Sequence, residues 1–408
     1  MPRPDVLALV LAGGQGSRMT VLTDDRAKPA LPFAGTYRLL DFALSNLRHS
    51  GIEDVWVFVQ YETQSILDVL AGGRAWDLDR SHGGLRVVSP QQESDGEAAW
   101  HEGNAHALYA HRDLIARESP QALLVMSADH IYKLDYTRVL ERHRDTGAEL
   151  TVVTTTVPTH LASHHAVLEV EEDLVTGVEV KPERPAHGRV ATEIFVYDTA
   201  VVLDVLDQLA ADDGNGSELG DFGDRLLPSL IERGKVRDFD LGGYWKDVGR
   251  PEAYFAAHRD VLAAHGRNRG DDLRLDDASW PILTHDIPRM PAYIEDGARV
   301  SGSLISPGCR IAGRVERSVL GPGTVVERDA VVRDSILFTD VVVRAGARVR
   351  HAIVDDAAVI GAGARAEARI AGDLPTDDEL VVIGADARIA PGAVVEAGDR
   401  VARGGRRR

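Results

Sequence analysis

The stretch that decides the fold is Leu9-Val10-Leu11-Ala12-Gly13-Gly14-Gln15-Gly16-Ser17-Arg18, near the start of a chain of 408 residues. The apolar run from Val6 to Ala12 is too short to span a bilayer and ends in glycines, which favours a buried strand over a signal peptide. Glycines let the backbone approach a phosphate closely, and an arginine supplies charge and forked N–H donors. The stretch predicts a first strand and a loop, whose purpose is either phosphate binding or a plain turn.

Two well-known phosphate loops do not match this stretch. A dinucleotide-binding fold needs a third glycine where Met19 stands, and an acidic residue at the end of the second strand where Gln60 and Tyr61 stand. A P-loop needs Gly-Lys-Ser/Thr at the close of the loop, which this sequence lacks.

Further cations follow the loop in Arg26-Ala27-Lys28-Pro29-Ala30. Taken singly, each cation is more often a solvated surface charge. Together with the glycine loop they favour a shared polyphosphate site, and we expect Arg18, Arg26 and Lys28 to converge on it.

The composition excludes several classes of protein. With 46 basic and 64 acidic residues the net charge is −18, which disfavours binding to nucleic acid or to an anionic membrane. The length predicts two domains, and 44% hydrophobic with 27% charged residues is typical of a globular protein. Cys309 is the single cysteine, and we expect it to be a small buried residue. We therefore expect a cytoplasmic protein that binds neither nucleic acid nor membrane.

Residues 1–263 alternate short β-branched runs with segments of helical spacing, which predicts an α/β domain with a mostly parallel sheet. The helical segments are Arg38–Ser50, Ala105–Ala116 and Val201–Ala210. The predicted strands are Val6–Leu11, Asp54–Gln60, Leu85–Val88, Ala122–Ser127, Glu149–Val157, Val175–Lys181 and Thr192–Asp198.

Residues 264–290 lack periodicity and predict a linker packed on a surface, and residues 291–408 follow a different rhythm. Aliphatic residues there recur every five or six positions, which is typical of the hexapeptide repeat of a parallel β-helix. The alternative is a run of short sandwich strands, although these would show turns every 8–12 residues. The rhythm breaks at Gly372–Asp378, and we expect Arg403–Arg408 to be a solvated tail. The repeat positions are Ile305, Ile311, Leu320, Val326, Val332, Leu337, Val343, Val349, Val354, Ile360, Ile383, Ile389 and Val395.

Two aspartates are candidate metal ligands. Asp129 follows the apolar run Ala122–Met126, at the carboxyl end of a predicted strand, where ligands bind in open α/β sheets. Asp247 follows a short Tyr-Trp segment. Two carboxylates from separate elements suit Mg²⁺, which completes its octahedron with phosphate and water. The alternative for Asp129 is a cap of the following turn.

Several of these stretches resemble one known family, the bacterial glucose-1-phosphate adenylyltransferases, or ADP-glucose pyrophosphorylases. The resemblance spans nearly the whole chain, because that family also carries a C-terminal left-handed β-helix. The glycine loop is shared with all sugar nucleotidylyltransferases, whereas the Asp-His-Ile-Tyr and Asp-Phe-Gly motifs point more narrowly. The matching segments are Leu11–Arg18, Arg26–Ala30, Arg38–Asn46, Ser127–Tyr132, Asp221–Gly223, Tyr244–Gly249 and Ser279–Ile282.

The resemblance implies a Rossmann-like nucleotidylyltransferase domain followed by a left-handed parallel β-helix, in a homotetramer. It implies that a sugar 1-phosphate attacks the α-phosphorus of ATP, releasing diphosphate and supplying ADP-glucose for glycogen or another α-glucan. The nucleophile is already an anion, so alignment and charge neutralisation suffice without a strong general base. The alternatives are a nucleotidylyltransferase for another sugar 1-phosphate and a catalytically weakened regulatory paralogue.

The resemblance also assigns roles to single residues. It implies Mg²⁺ on Asp129 and Asp247, a catalytic role for Asp129, action of Arg18 on the triphosphate, and binding of the sugar phosphate by Lys181. Lys28 is either a catalytic phosphate contact or an effector-binding residue. The expected nucleotide-binding residues are Leu11, Ala12, Gly13, Gly14, Gly16, Gln91 and Gly103.

The departures from the family concentrate on the sugar side. Val180 stands where the family has glutamate, and Glu193 stands where it has glycine. We therefore assign Glu193 to the sugar-phosphate site, on the assumption that it faces the pocket rather than solvent.

Overall fold

The computed structural model describes residues 5–14, 16–89, 103–213, 217–264, 273–368, 370, 372 and 374–407. These residues form an α/β domain, a connecting segment and a parallel β-helix, as the sequence predicts. None of the helices in these ranges is long and apolar enough to cross a membrane.

The α/β domain is built from the following elements. The strands are β1 (Val6–Ala12), β2 (Pro32–Phe33), β3 (Tyr37–Arg38), β4 (Asp54–Val59), β5 (Gly84–Val88), β6 (Ala122–Ser127), β7 (His130–Tyr132), β8 (Leu150–Thr156), β9 (Ala166–Glu171), β10 (Leu174–Val180), β11 (Arg189–Asp198), β12 (Val236–Asp240) and β13 (Trp245–Asp247). The helices are α1 (Leu39–His49), α2 (Thr63–Leu70), α3 (Asn104–Ala110), α4 (Arg112–Glu118), α5 (Tyr136–Thr146), α6 (Thr159–Ala162), α7 (Thr199–Asp213), α8 (Leu227–Glu232) and α9 (Pro251–Ala264). Shorter helical turns are Ser17–Thr23, Lys28–Ala30, Ala71–Trp76, Ser217–Leu219 and Phe222–Leu226.

One large sheet forms the centre of this domain, with the strand order β5-β4-β1-β6-β11-β8-β12-β10-β9. Parallel pairs join β5 to β4, β4 to β1, β1 to β6, and β12 to β8. Strands β11 and β10 run antiparallel to their neighbours. All strands of this sheet except these two therefore point the same way, which confirms the predicted mostly parallel sheet.

Strand β1 is apolar throughout because both of its faces are buried. Ala8 and Val10 pack in one hydrophobic cluster with side chains of α1, whereas Leu7 and Leu9 pack in a second cluster on the opposite face. A strand covered on both sides reads as a continuous apolar run. Because β1 lies in the middle of the sheet, the glycine loop leaves the sheet beside the ends of β4 and β6.

The connecting segment packs on helix α1. The Trp280 ring nitrogen donates to the Asn46 side chain at 2.9 Å, and the Leu283 backbone nitrogen donates to the Ser45 hydroxyl at 2.8 Å. The described part of the predicted linker, residues 273–290, is therefore fixed against the α/β domain.

The β-helix has three sheets, each made of parallel strands stacked one coil apart. Arg299 pairs with Arg314 and Val331 pairs with Arg348, so these coils take 15 and 17 residues. The first sheet contains β14 (Tyr293–Ile294), β17 (Arg310–Ile311), β20 (Val325–Val326), β23 (Val342–Val343), β26 (Val359–Ile360), β29 (Arg388–Ile389) and β32 (Arg406–Arg407). The second contains β15 (Arg299–Ser301), β18 (Arg314–Glu316), β21 (Val331–Arg333), β24 (Arg348–Arg350), β27 (Arg365–Glu367) and β30 (Val394–Val395). The third contains β16 (Leu304–Ile305), β19 (Val319–Leu320), β22 (Ile336–Leu337), β25 (Ala352–Val354), β28 (Val381–Ile383) and β31 (Arg400–Val401).

The predicted repeat positions lie inside the coils, where they form one continuous hydrophobic cluster together with buried Cys309. One coil is longer, because Ala352 pairs with Val381 across the predicted break at 372–378. The expectation of a solvated C-terminal tail is wrong in part: the side chains of Arg406 and Arg407 are exposed, but their backbone does not form a free tail. Arg406 and Arg407 form strand β32 against β29, since the coil stack offers unpaired backbone groups that this segment completes.

The β-helix packs its third sheet against the α/β domain. Phe338, Leu380 and Val382 are fully or almost fully buried in one hydrophobic cluster with Met19 and Tyr254 of the α/β domain. The two domains therefore share a core, and the turn that follows the glycine loop is part of it.

Buried His258 in α9 makes stability depend on pH. The pKa of His258 is lowered to about 4, because burial outweighs the opposing effect of its hydrogen bond to the Tyr254 carbonyl. The unfolded chain takes up a proton near pH 6.5 and the folded chain does not, so stability falls as pH drops through this range. We expect the wild type to lose about 2 kcal/mol more unfolding free energy than His258→Gln between pH 7 and pH 5. Denaturant unfolding at both pH values measures this, and equal losses in the two proteins would refute it.

Candidate active site

The site lies where the parallel strands end. Leu11 of β1 pairs with Ser127 of β6, so the glycine loop and Asp129 leave the sheet side by side. A cleft of about 410 Å³ opens there. Its lining consists of Leu11, Gly13, Gly14, Arg18, Lys28, Pro29, Phe58, Val59, Gln60, Tyr61, Gly103, Asn104, Ala107, Ser127, Asp129, His130, Glu193, Asp221 and Asp247.

The loop conformation explains two of its glycines. Gly16 has a φ of 66°, in the left-handed region, and a Cβ there would lie 3.1 Å from Cβ of Lys28. A Cβ on Gly13 would lie 3.3 Å from Cβ of Gln60. The Thr23 hydroxyl donates to the Gly16 carbonyl at 2.9 Å and closes the loop. Glycine therefore allows the loop to fold tightly over Lys28.

Lys28 bridges the two candidate metal ligands. Its Nζ lies 2.8 Å from Oδ2 of Asp129 and 3.2 Å from Oδ1 of Asp247. The lysine is buried, whereas about a fifth of each carboxylate side chain, 22% for Asp129 and 23% for Asp247, is exposed in the cleft. A cation and two partly exposed anions from segments far apart in the chain therefore meet at one point. The sequence analysis expects Asp129 and Asp247 to lie together, but it does not predict their ion pairs with Lys28.

The charges in this cluster support one another. Burial alone lowers the pKa of Lys28, but the carboxylates of Asp129 and Asp247 more than offset this, and the net pKa is raised. Burial alone raises the pKa of both aspartates, but Lys28 and His130 hold both below the ordinary value. The lysine and the two aspartates therefore remain ionised at neutral pH.

His130 is the functional residue that the sequence reasoning missed. Its Nδ1 donates to the Thr192 carbonyl at 3.1 Å, and its Nε2 lies 3.6 Å from Asp129 and 3.8 Å from Asp247. Strands β7 and β13 pair His130 with Asp247 and create this contact. The available signal was its position directly after Asp129, within a stretch that resembles the adenylyltransferases.

Glu193 lines the cleft and does not point away from it. It has a φ of 57° and lies where the register of β11 shifts between Ala191 and Ile194. A positive φ is unfavourable for glutamate, and such strain clusters at functional sites. Glu193 is exposed at the cleft; loss of solvation among the groups of the cleft raises its pKa, His130 opposes this rise, and Asp129 adds to it.

Gly103 and the Asp-Phe-Gly segment build the opposite wall of the cleft. A Cβ on Gly103 would lie 2.3 Å from the backbone of Gly220, so only glycine fits. Asp221 accepts a hydrogen bond from the backbone nitrogen of Asn104 at 3.1 Å and fixes the start of α3.

The remaining predicted residues occupy different places. Arg18 is exposed at the cleft, whereas Ala12 and Gly16 are not part of its lining. Lys181 is exposed outside the lining, with its backbone nitrogen bonded to the His165 carbonyl at 2.9 Å. Gln91 lies outside the described residues.

The expectation that Arg26 joins the polyphosphate site is wrong. Its guanidinium pairs with Asp355 at 2.8 Å and with Asp356 at 3.2 Å, both in the β-helix. Burial beside two carboxylates commits this arginine to the contact between domains.

Comparison with known proteins agrees with this geometry. The "Nucleotidyl transferase" family model matches residues 7–264, and the "GlmU-like, C-terminal hexapeptide" family model matches residues 293–381. A glucose-1-phosphate adenylyltransferase of Clostridium beijerinckii is 38% identical, covering 82% of this chain and 85% of its own. The chain belongs to the glucose-1-phosphate adenylyltransferase family. Relatives of the same name are 37% identical in Clostridium perfringens, over 83% of this chain and 85% of theirs, and in Bacillus mycoides, over 81% and 86%.

Enzymes of the glucose-1-phosphate adenylyltransferase family act on a nucleoside triphosphate and a sugar 1-phosphate, and generally use a divalent metal ion. In the described part of the chain, no group of three or more His, Cys, Asp or Glu side chains is arranged to hold a metal. A pair of carboxylates suits a metal ion that also takes phosphate oxygens and water. The partly exposed carboxylates of Asp129 and Asp247 fit such an open site.

Proposed function

We propose that the protein converts ATP and α-D-glucose 1-phosphate to ADP-glucose and diphosphate. The observation that carries this proposal is the Lys28, Asp129 and Asp247 cluster beneath the glycine loop. The family membership supports it. The product would supply glycogen or another α-glucan, and we propose a homotetramer, as in the family that the sequence resembles.

In this reaction an oxygen of the sugar phosphate forms a bond to the α-phosphorus of ATP. The bond between the α-phosphorus and the oxygen that bridges it to the β-phosphorus breaks. The electron pair leaves with diphosphate. Because the nucleophile is an anion, the protein's task is to align the reactants and balance charge.

Each part of the cleft has a role in this proposal. Backbone groups of the glycine loop and the guanidinium of Arg18 bind the triphosphate. Lys28 holds the two aspartates and adds positive charge beside the phosphates. Lys181 binds the sugar phosphate from the rim, which requires its side chain to turn toward the cleft. Asp129 and Asp247 would hold Mg²⁺, which when bound neutralises charge on the phosphates.

Substrate profiling with release of diphosphate as the readout tests this proposal. Purified protein with Mg²⁺ and ATP is offered glucose 1-phosphate, other hexose 1-phosphates and hexosamine 1-phosphates, and product identity is checked by mass spectrometry. Formation of ADP-glucose supports the proposal. Absence of diphosphate release with every sugar phosphate would refute nucleotidyl transfer.

Glu193 favours a second candidate, a nucleotidylyltransferase for another sugar 1-phosphate. Its carboxylate lines the cleft, whereas Val180 packs beside Gly223 and is not part of the lining. A carboxylate in a new place favours a differently placed hydroxyl or an amino group on the sugar, because an unmatched hydroxyl costs roughly 1–3 kcal/mol.

We expect weaker use of glucose 1-phosphate than in a typical family member, and measurable use of another hexose or hexosamine 1-phosphate. The double change Glu193→Gly with Val180→Glu is expected to restore glucose preference by roughly 10- to 100-fold in kcat/KM, which requires the longer glutamate side chain at position 180 to reach the cleft. Glu193→Gln is the control, since it keeps the size and removes the charge. Strong glucose preference in the wild type and no change in the double variant would refute the role of Glu193 and leave nucleotidyl transfer intact.

A further inference from the structure

Two ion pairs hold the segment before Lys28 against the β-helix. In one the segment supplies the cation, and in the other it supplies the anion. Arg26 donates through Nη2 to Asp355 at 2.8 Å, and its Nη1 lies 3.2 Å from Asp356. The neighbouring Asp25 accepts Arg403 at 2.6 Å. We name Asp25, Arg26, Asp355 and Arg403 the interdomain clamp. The interdomain clamp therefore joins two adjacent residues of one loop to two different coils of the β-helix.

Asp355 is a costly residue if its purpose is stability alone. Its side chain is fully buried, and within the described chain its Oδ2 has no hydrogen-bond partner. Burial raises the pKa of Asp355 to about 7, and Arg26 opposes the rise. Apolar side chains of similar size commonly stabilise a buried site as well as an ion pair does. The arrangement therefore points to a requirement for a defined position.

The clamp lies a very short distance along the chain from the catalytic cluster. Only Ala27 separates Arg26 from Lys28, and two residues span at most about 7 Å. Ala27 is itself buried, and its backbone nitrogen donates to the Ser65 hydroxyl at 2.9 Å, so this short link has little freedom to absorb a displacement. A shift of Arg26 therefore moves Lys28, and Gly16 lies directly against Lys28.

An apolar contact reinforces the clamp from the other end of the loop. Met19 and Leu22, in the turn after the glycine loop, are completely buried in the cluster that contains Leu380 and Val382 of the β-helix. The turn after the glycine loop and the two residues Asp25 and Arg26 thus rest on the β-helix.

We propose that Asp355 is a positioning residue for nucleotidyl transfer, which holds Arg26 and thereby fixes Lys28 and the glycine loop against Asp129 and Asp247. This inference rests on the proposed function. The β-helix then contributes to the nucleotide site through one named contact, beyond its role in packing.

Asp355→Asn tests this, because it keeps the shape and removes the charge that holds Arg26. We expect the KM for ATP to rise about tenfold, with a smaller change in the KM for the sugar phosphate. Arg26 keeps Asp356 and Asp25 as partners, so the melting temperature is expected to change little.

Asp334→Asn is the matched control. Asp334 is another buried β-helix carboxylate that pairs across the interface, with Arg259 of α9, and also with Arg317 at 2.6 Å. It lies in the same kind of contact but has no short link to Lys28. We expect Asp334→Asn to leave the KM for ATP within twofold of the wild type. An equal rise in both variants would show a general loosening of the interface and overturn the proposal.

A double-mutant cycle separates positioning from direct contact with ATP. If Asp355 acts through Arg26, adding Asp355→Asn to Arg26→Ala has no further effect on the KM for ATP. Additive effects, or an unchanged KM in Asp355→Asn alone, would overturn the proposal. Arg26→Lys keeps the positive charge but lacks the two parallel N–H donors of the guanidinium. Its KM for ATP is expected to lie between those of the wild type and Arg26→Ala.

Equilibrium binding of a non-hydrolysable ATP analogue is measured for the same variants. This readout needs no sugar and no turnover. If the wild type binds the analogue and Asp355→Asn binds it more weakly, the positioning role of Asp355 is supported, even if glucose 1-phosphate is not the substrate. If Asp355→Asn binds the analogue as tightly as the wild type does, the positioning role of Asp355 is refuted and the proposed function is unaffected.

Discussion

Asp129→Asn is expected nearly to abolish turnover, by roughly 10²- to 10³-fold in kcat, while the protein stays folded. Asparagine has the size of aspartate, but it carries no negative charge, and its one amide oxygen replaces two carboxylate oxygens that accept from Ser127 and Lys28. A role in balancing charge at the phosphates is lost with that change, whereas a capping role survives it. Lys28 retains Asp247 as a partner at 3.2 Å, so it is not left as an unpaired buried charge. Diphosphate release at saturating substrates measures the effect, and the melting temperature reports folding.

Asp135→Asn is the matched control for this prediction. Asp135 caps helix α5, where it accepts from the backbone nitrogen of Thr137 at 2.9 Å, and it lies outside the cleft. We expect it to keep full turnover, and Asp247→Asn to behave like Asp129→Asn. Full activity in Asp129→Asn would refute the metal role of this residue.

Much of the fold can be predicted from the sequence, because buried positions recur at regular intervals along each strand or coil and are occupied by apolar residues. Strand β1 is continuously apolar, and the coils place an aliphatic residue inside at nearly every predicted position. Strand β12 escaped prediction because its buried face contains a carboxylate. Asp238 lies there at 8% exposure, bonded to Thr154 at 2.6 Å and to Arg189 at 3.2 Å. Partners from other strands satisfy that charge, and a local pattern cannot show them.

The candidate site divides in the same way. Asp129 follows a strand end, a local feature that sequence reasoning can read. Arg26 and Lys28 are two cations almost side by side, and no local property separates them. Arg26 turns to Asp355, 329 positions away, while Lys28 turns to Asp129 and Asp247. Only the packing of the β-helix on the loop assigns the two cations to different tasks.

Truncation after Ala263 is expected to yield an aggregating or inactive fragment. Met19, Leu22 and Phe33 of the α/β domain are completely buried, in one hydrophobic cluster to which the third sheet of the β-helix contributes. Removing residues 264–408 exposes these side chains as one contiguous apolar patch, which promotes association. Size-exclusion chromatography with light scattering and the diphosphate assay measure the outcome.

The same truncation is expected to inactivate any fragment that remains dispersed. The lost sheet supports the turn after the glycine loop, and the lost Asp355 holds Arg26 next to Lys28. Supplying residues 264–408 as a separate co-expressed chain restores both contacts without restoring the covalent link. We therefore expect recovery of soluble, active protein from the two fragments together. A soluble and fully active monomer of residues 1–263 alone would show that the nucleotide loop holds its shape without the β-helix, and it would contradict this account of the interface.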